Sequence, residues 1–287
     1  MLRRRFRAMG TEIELLLDAL PSATAMHGLA RAEREFARLE RLLSRFDPGS
    51  ELSLLNERGT MTAGPELLEV TALAVAARER TRGRFDPTVH DALVAAGYDR
   101  SFEHLPSDAG RPAVLAGPCG GGVRIDGAVS TIQLDPGVHL DLGGIGKGYA
   151  ADRAAALLAV AGPALVDAGG DMALHGRPWQ VGVETPGGTL TLELGSGGLA
   201  TSGRDRRRWA RAGREQHHLI DPVTGRPAES DVLRVTVAAA SAVDAEVHAK
   251  ALFLAGAAGA LREANALALP AVIVCADGRT LVSEVIG

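Results

Sequence analysis

The residues best placed to do chemistry lie between His139 and Leu158, in the run HLDLGGIGKGYAADRAAALL. Gly143, Gly144, Gly146 and Gly148 surround one lysine, Lys147. Glycines let a backbone approach a ligand closely, N–H groups at a helix start point at an anion, and a lysine adds positive charge. That chemistry is phosphate binding. The competing reading is a tight strand-to-helix connection with no ligand. Neither GxxxxGK[ST] nor GxGxxG is present, so this is neither a P-loop nor a dinucleotide fingerprint.

Other chemistry-bearing residues are scattered. Three acidic loops carry Asp86 (Phe85-Asp86-Pro87-Thr88), Asp171 (Gly169-Gly170-Asp171) and Asp221 (Ile220-Asp221-Pro222). Asp before Pro or after Gly also makes ordinary turns, and each loop alone reads that way. His217-His218 beside Asp221 offers a general base, although a histidine near a strand is more often structural. Thr201-Ser202-Gly203-Arg204 reads as a small-residue turn for a diphosphate or as a plain hydroxyl turn. Glu246 and Lys250 stand at i and i+4 on a helix, the spacing of a surface ion pair.

These residues need elements to hold them. Thr11 to Leu17 alternates as a strand, and Ala23 to Arg45 repeats its apolar residues at helical spacing. Pro65 opens a helix to about Arg82. Ser130–Leu134 and Val138–Leu142 are expected to form a hairpin around Asp135-Pro136-Gly137, the second strand feeding the glycine-lysine bend. Residues 101–128 are loop-rich with a short strand, and Arg204 to Arg214 is a basic loop. Val232–Ala240 reads as an apolar strand, Val243–Ala255 as an alanine-rich helix, and Ala271–Ile286 as a final hairpin. Helices and β-meanders mix without a βαβ beat, so the expected class is α+β, in a single domain over 1–287.

Composition narrows the function. The 287 residues carry a net charge of −4 and only 3% aromatic residues, which argues against nucleic-acid binding. Cys119 and Cys275 read as two free thiols. Glu12, Glu14 and Asp18 interrupt the apolar residues near the N-terminus, so no export signal is expected, and no apolar run reaches membrane-spanning length. A cytoplasmic location is the expectation.

Taken in order, the motifs resemble the ApbE family, the FAD:protein FMN transferases. The matching segments are Met9-Gly10-Thr11, Ser44-Arg45-Phe46-Asp47-Pro48, Gly83-Arg84-Phe85-Asp86-Pro87-Thr88-Val89 and Leu140 to Asp152. Asp167-Ala168-Gly169-Gly170-Asp171, Thr201-Ser202-Gly203 and His218-Leu219-Ile220-Asp221-Pro222-Val223-Thr224-Gly225-Arg226-Pro227 follow. The resemblance implies a T-fold-like architecture that binds FAD with a divalent metal. It implies FMN transfer to a Ser or Thr hydroxyl of an acceptor protein, with release of AMP. Met9, Phe46, Arg84, Phe85, Asp86, Asp141, Lys147 and Ile220 match positions that shape or line the FAD site. His218 matches a histidine considered as the base, with Lys147 also at the reacting end.

The chain departs from the family pattern at two places. Phe46 stands where a tyrosine is usual, keeping a stacking face without a hydroxyl. The family helix reads ADxxxT, its Asp and Thr being metal ligands; here the aligned residues are Ala245, Glu246 and Lys250. An ammonium is a donor and cannot ligate Mg²⁺. Two expectations follow: Lys250 meets the FAD diphosphate in the metal's place, or a metal is bound through Glu246 and a backbone carbonyl such as that of Gly144. A flavin-binding protein without transfer activity is the alternative function.

Overall fold

Ile13, Leu15 and Leu17 alternate with Glu12, Glu14 and Leu16, the two-residue period of a strand with one buried face. In the computed structural model, which describes residues 1–106, 108 and 117–286, these three side chains are fully buried. Their strand, Thr11–Leu17, pairs antiparallel with Leu2–Ala8 and with Ala164–Ala168. Met9 and Gly10 join the first two strands, both at positive φ (52° and 66°), as a two-residue primed turn requires. The helices, in chain order, are α1 (Ala23–Leu43), α2 (Glu51–Arg58), α3 (Pro65–Arg80), α4 (His90–Ala95), α5 (Gly146–Ala159), α6 (Ala242–Leu254) and α7 (Gly256–Ala266).

The chain divides into two compact units. The first comprises Met1–Glu40, Ile145–Ser202 and Ser230–Gly287. Its eight-stranded sheet runs Leu2–Ala8, Thr11–Leu17, Ala164–Ala168, Met172–His175, Gly197–Gly203, Val232–Ala239, Ala271–Cys275 and Thr280–Val282. A hairpin of Trp179–Thr185 and Gly188–Leu194 contributes Trp179, Val181 and Val183 to a core with Leu165, Leu174 and Leu199. The second unit comprises Arg41–Gly144 and Gly203–Glu229. It holds a three-stranded sheet in the order Thr60–Thr62, Thr131–Leu134, Val123–Asp126, and a core of Ala92, Leu93, Ala96, Tyr98, Trp209 and Ile220. Antiparallel strand pairs and separate helices make this an α+β fold. Among the described residues, no helix is long and apolar enough to cross a membrane, and Cys119 and Cys275 are free.

Three sequence expectations change. Val138–Leu142 is not a strand: Thr131–Leu134 takes Val123–Asp126 and Thr60–Thr62 as partners instead. The backbone of 138–142 is satisfied otherwise. The Asn56 side chain accepts from the Leu140 N–H at 2.7 Å and donates to its carbonyl at 2.9 Å, and Asp141 N–H reaches the Pro87 carbonyl at 2.8 Å. A side chain has replaced a strand partner. Thr201-Ser202-Gly203 is not a turn but the end of an inner strand of the large sheet, where Thr201 and Thr236 hydroxyls meet at 2.8 Å. The basic loop 204–214 contains a strand, Arg208–Arg211, that turns back at Ala212-Gly213 onto Arg214–His217. Part of the loop-rich stretch 101–128, residues 107 and 109–116, lies outside the described residues.

Candidate functional site: a buried lysine–carboxylate cluster and an arginine–aromatic cluster

Helix α5 begins at Gly146, which puts Lys147 in its first turn. Gly148 follows for a packing reason. A Cβ there would lie 2.6 Å from the Ala242 carbonyl oxygen, so only glycine lets the starts of α5 and α6 meet. The α6 start is capped twice. Ser241 Oγ accepts from Asp244 N–H at 3.0 Å, and the Asp152 carboxylate accepts from the N–H groups of Ala242 and Val243 at 2.9 and 3.0 Å. Burial pushes the Asp152 pKa up, while those two N–H groups oppose it.

One turn further along α6, Glu246 is wholly buried. Its Oε2 accepts from Gly148 N–H at 2.9 Å; its Oε1 accepts from Lys147 Nζ at 3.2 Å and Lys250 Nζ at 3.0 Å. Lys147 also pairs with Asp171, itself 3% exposed. Asp171 is placed by the Gly169-Gly170 turn of a hairpin, both glycines at positive φ (71° and 99°). Burial alone would raise the Glu246 pKa. The two ammonium groups and the Gly148 N–H outweigh it and hold the carboxyl at about 2. The Glu246–Lys250 pair expected on the surface instead has its carboxylate fully buried and its ammonium half-buried, and it belongs to a balanced set of two carboxylates and two ammoniums.

The second unit builds a different cluster. The Arg45 guanidinium lies 4.2 Å from the Phe46 ring centre and 4.6 Å from that of Tyr98, and it pairs with Asp141. Cation–π contact and a carboxylate hold its plane. Its Nη2 is buried with no hydrogen-bond partner among the described residues. Phe46 is exposed, and Tyr98 packs onward against Trp209, whose indole N–H donates to the Ala96 carbonyl at 2.9 Å. Ile220 is buried in the same core. Asp141 Oδ1 accepts from Gly143 N–H at 2.8 Å.

Asp86 shapes its own loop. Its Oδ1 accepts from the Thr88 N–H at 2.8 Å and hydroxyl at 2.7 Å, with Arg78 at 3.9 Å. Thr81 receives the Phe85 N–H on its hydroxyl at 3.0 Å and the Arg84 N–H on its carbonyl at 3.3 Å. Gly144 closes this unit's stretch of chain. The adjacent histidines separate clearly. His217 is buried, with Nδ1 accepting from Leu219 N–H at 3.3 Å and Nε2 donating to the Ala228 carbonyl at 3.1 Å. Burial pushes its pKa down, in keeping with an Nδ1 that accepts an N–H. His218 is half-buried, its Nδ1 3.4 Å from the Arg207 carbonyl. A proton on Nδ1 makes Nε2 the basic nitrogen.

A model of the ApbE family matches residues 9–273. The chain belongs to the ApbE family. Proteins named FAD:protein FMN transferase from Rhodobacter capsulatus and Treponema pallidum are 34% and 32% identical to it, over 88% and 76% of this chain. The alignments cover 51% and 68% of those proteins, so the chain spans about half the length of the Rhodobacter relative. The ApbE protein of Thermotoga maritima superposes with a TM-score of 0.87 at 28% identity, covering 99% of this chain and 97% of that one. The flavin transferase ApbE of Vibrio cholerae has the same fold, with a TM-score of 0.80 at 24% identity over 99% and 97% of the two chains.

Of the ApbE-matched residues, Lys147, Glu246 and Lys250 meet in the first unit, and Met9 stands at its hairpin turn, held by Glu40 through a 2.7 Å N–H bond. Phe46 and Asp141 meet around Arg45 in the second. Asp171, Arg45 and Tyr98 are not among the site residues assigned from sequence. Asp171 stands out as an acidic loop in a matching ApbE segment but also reads as an ordinary turn, and Tyr98 has no motif. Arg45 likewise lies inside a matching ApbE segment. The Glu246 surroundings do not fit Mg²⁺: both oxygens take N–H donors, two of them ammoniums, and a metal needs such oxygens for itself.

Proposed function

We propose that the protein is an FAD:protein FMN transferase, moving FMN from FAD to a Ser or Thr hydroxyl of an acceptor protein and releasing AMP. The reading is supported by ApbE membership and by relatives of that name. The single observation that carries it in this chain is Lys147, a half-buried ammonium in the first turn of α5 that shares Glu246 with Lys250. Helix-start N–H groups and two cations suit a diphosphate. Such a transfer needs the diphosphate neutralised, the acceptor hydroxyl aligned and its proton taken. We assign neutralisation to Lys147 and Lys250, and proton removal to His218. Arg45, Phe46, Arg84, Phe85, Asp86, Asp141, Ile220 and Met9 are assigned to holding FAD. The unpartnered Arg45 Nη2 fits an oxygen of the ligand.

In this reading Lys250 supplies charge where the family pattern has a metal ligand, and no Mg²⁺ sits at Glu246. One positive charge gives less organisation of several oxygens than a divalent ion does. That favours a second reading, FAD binding with slow or absent transfer. Mixing the protein with FAD and a candidate acceptor, then following AMP release and the acceptor mass, separates the two. AMP and a flavinylated acceptor establish the transferase. FAD binding with neither product establishes the carrier.

A further inference from the structure

We propose that His90, Asp91 and His139 form a binding site for a borderline divalent transition-metal ion, with Zn²⁺ as the representative. His90 Nδ1 lies 2.9 Å from Asp91 Oδ1, and His139 Nδ1 lies 2.9 Å from both Asp91 oxygens. Their ligand atoms all fall within 4.8 Å of one another, an arrangement that no other His, Cys, Asp or Glu group among the described residues attains. The imidazoles stand side by side, 5.6 Å between ring centres and 55° between planes. Two neutral imidazoles and one carboxylate are a donor set for Zn²⁺ and its neighbours, while Mg²⁺ prefers oxygen throughout. Zinc bonds of roughly 2.0–2.2 Å in a tetrahedron put donor atoms roughly 3.3 Å apart, close to the 2.9 Å His–Asp contacts already present.

The ligands are held before any ion arrives. His90 and Asp91 open α4, which is anchored by buried Ala92 and Leu93. His139 precedes Leu140, whose N–H and C=O are both gripped by Asn56, and Asp141 is tied to Pro87, three residues before His90. Side-chain exposures of 20% for His90, 55% for Asp91 and 36% for His139 leave a path from solvent and room for water ligands. His139 and Asp91 are 48 residues apart, so an ion here would clip the α4 start to the 138–142 segment and close that loop. The triad shares no residue with the Glu246 cluster, where ammonium groups occupy the carboxylate, and does not depend on the flavin reading.

Titration of Zn²⁺ into the flavin-free protein, followed by calorimetry, is expected to show one ion per chain. Zn²⁺ should also raise Tm, and Mg²⁺ should not. Co²⁺ in the same site should give visible d–d bands of a nitrogen-ligated ion. His139→Ala and Asp91→Ala should abolish saturable binding, the Co²⁺ bands and the Tm shift. His27→Ala, at an exposed position on α1, should change none of them. Absence of stoichiometric Zn²⁺ binding by the unmodified protein overturns the proposal. So does a His90→Ala/His139→Ala protein that retains unchanged affinity. If a variant does not fold, the Co²⁺ spectrum of the unmodified protein decides alone, and bands without nitrogen ligation count against the site.

Discussion

At the scale of single residues, charge inside the protein is the controlling quantity. Glu246 is held at about 2 against an ordinary 4.5, so the folded chain keeps its charge while the unfolded chain takes up a proton first as pH falls. The stabilisation is complete above about pH 4.5 and is lost on descending toward about 2. Urea midpoints measured from pH 5 to 2.5 should therefore fall, and Glu246→Gln should flatten that part of the profile. Lys147→Ala should weaken FAD binding by roughly 1.5–3 kcal/mol, the usual worth of a charge-assisted contact, as read by calorimetry. His218→Ala should lower transfer about 10²–10⁴-fold with FAD affinity nearly intact. His217→Ala should instead cost stability, about 1–3 kcal/mol, because it strands the Ala228 carbonyl and Leu219 N–H in the interior. Unchanged turnover in His218→Ala would return that residue to a structural role.

Between elements, the decisive contact is the crossing of the α5 and α6 starts. The Gly148 backbone sits against Ala242, and the same approach lets its N–H reach Glu246. Gly148→Ala drives a methyl into backbone that cannot swing aside. It should cost about 1–3 kcal/mol, a drop of several degrees in Tm, with FAD binding weakened because Lys147 moves. On α6, Glu246 and Lys250 share one helical face at i and i+4, so a ligand change at either is felt at the other. Glu246→Asp with Lys250→Thr removes the ammonium and restores two oxygens. FAD binding by the unmodified protein is expected to ignore EDTA, whereas the double variant should gain Mg²⁺ dependence. Stoichiometric Mg²⁺ binding by the FAD complex of the unmodified protein would contradict the first half.

For the whole molecule, the net charge of −4 does not show where the carboxylate-paired cations lie. Ammonium groups are concentrated beside the α5 start, and a guanidinium lies among the aromatics of the second unit. The assigned work of the ammonium groups is on phosphates, so FAD should bind more tightly than riboflavin in a fluorescence titration. Equal affinities would remove that assignment of Lys147 and Lys250.

Sequence alone determined what local chemistry can determine. Strand Thr11–Leu17, helices α1, α3 and α6, the final hairpin and the α+β class were legible, because apolar periodicity and turn residues act over a few positions. The motif order was enough to suggest the family. What it could not reach were outcomes set by distant partners. Val138–Leu142 has the pattern of a strand, yet Asn56, 84 residues away, satisfies Leu140 and leaves the segment unpaired. Glu246 and Lys250 had the spacing of a surface pair, but the packing of α5 on α6 buried Glu246 against Lys147, and Asp171 meets the same ammonium. His90, Asp91 and His139 carried no motif at all, since a metal-type cluster built across 48 residues has no local spacing to read. Burial and long-range contact, which turn a common residue into a site, exist only once the chain has folded.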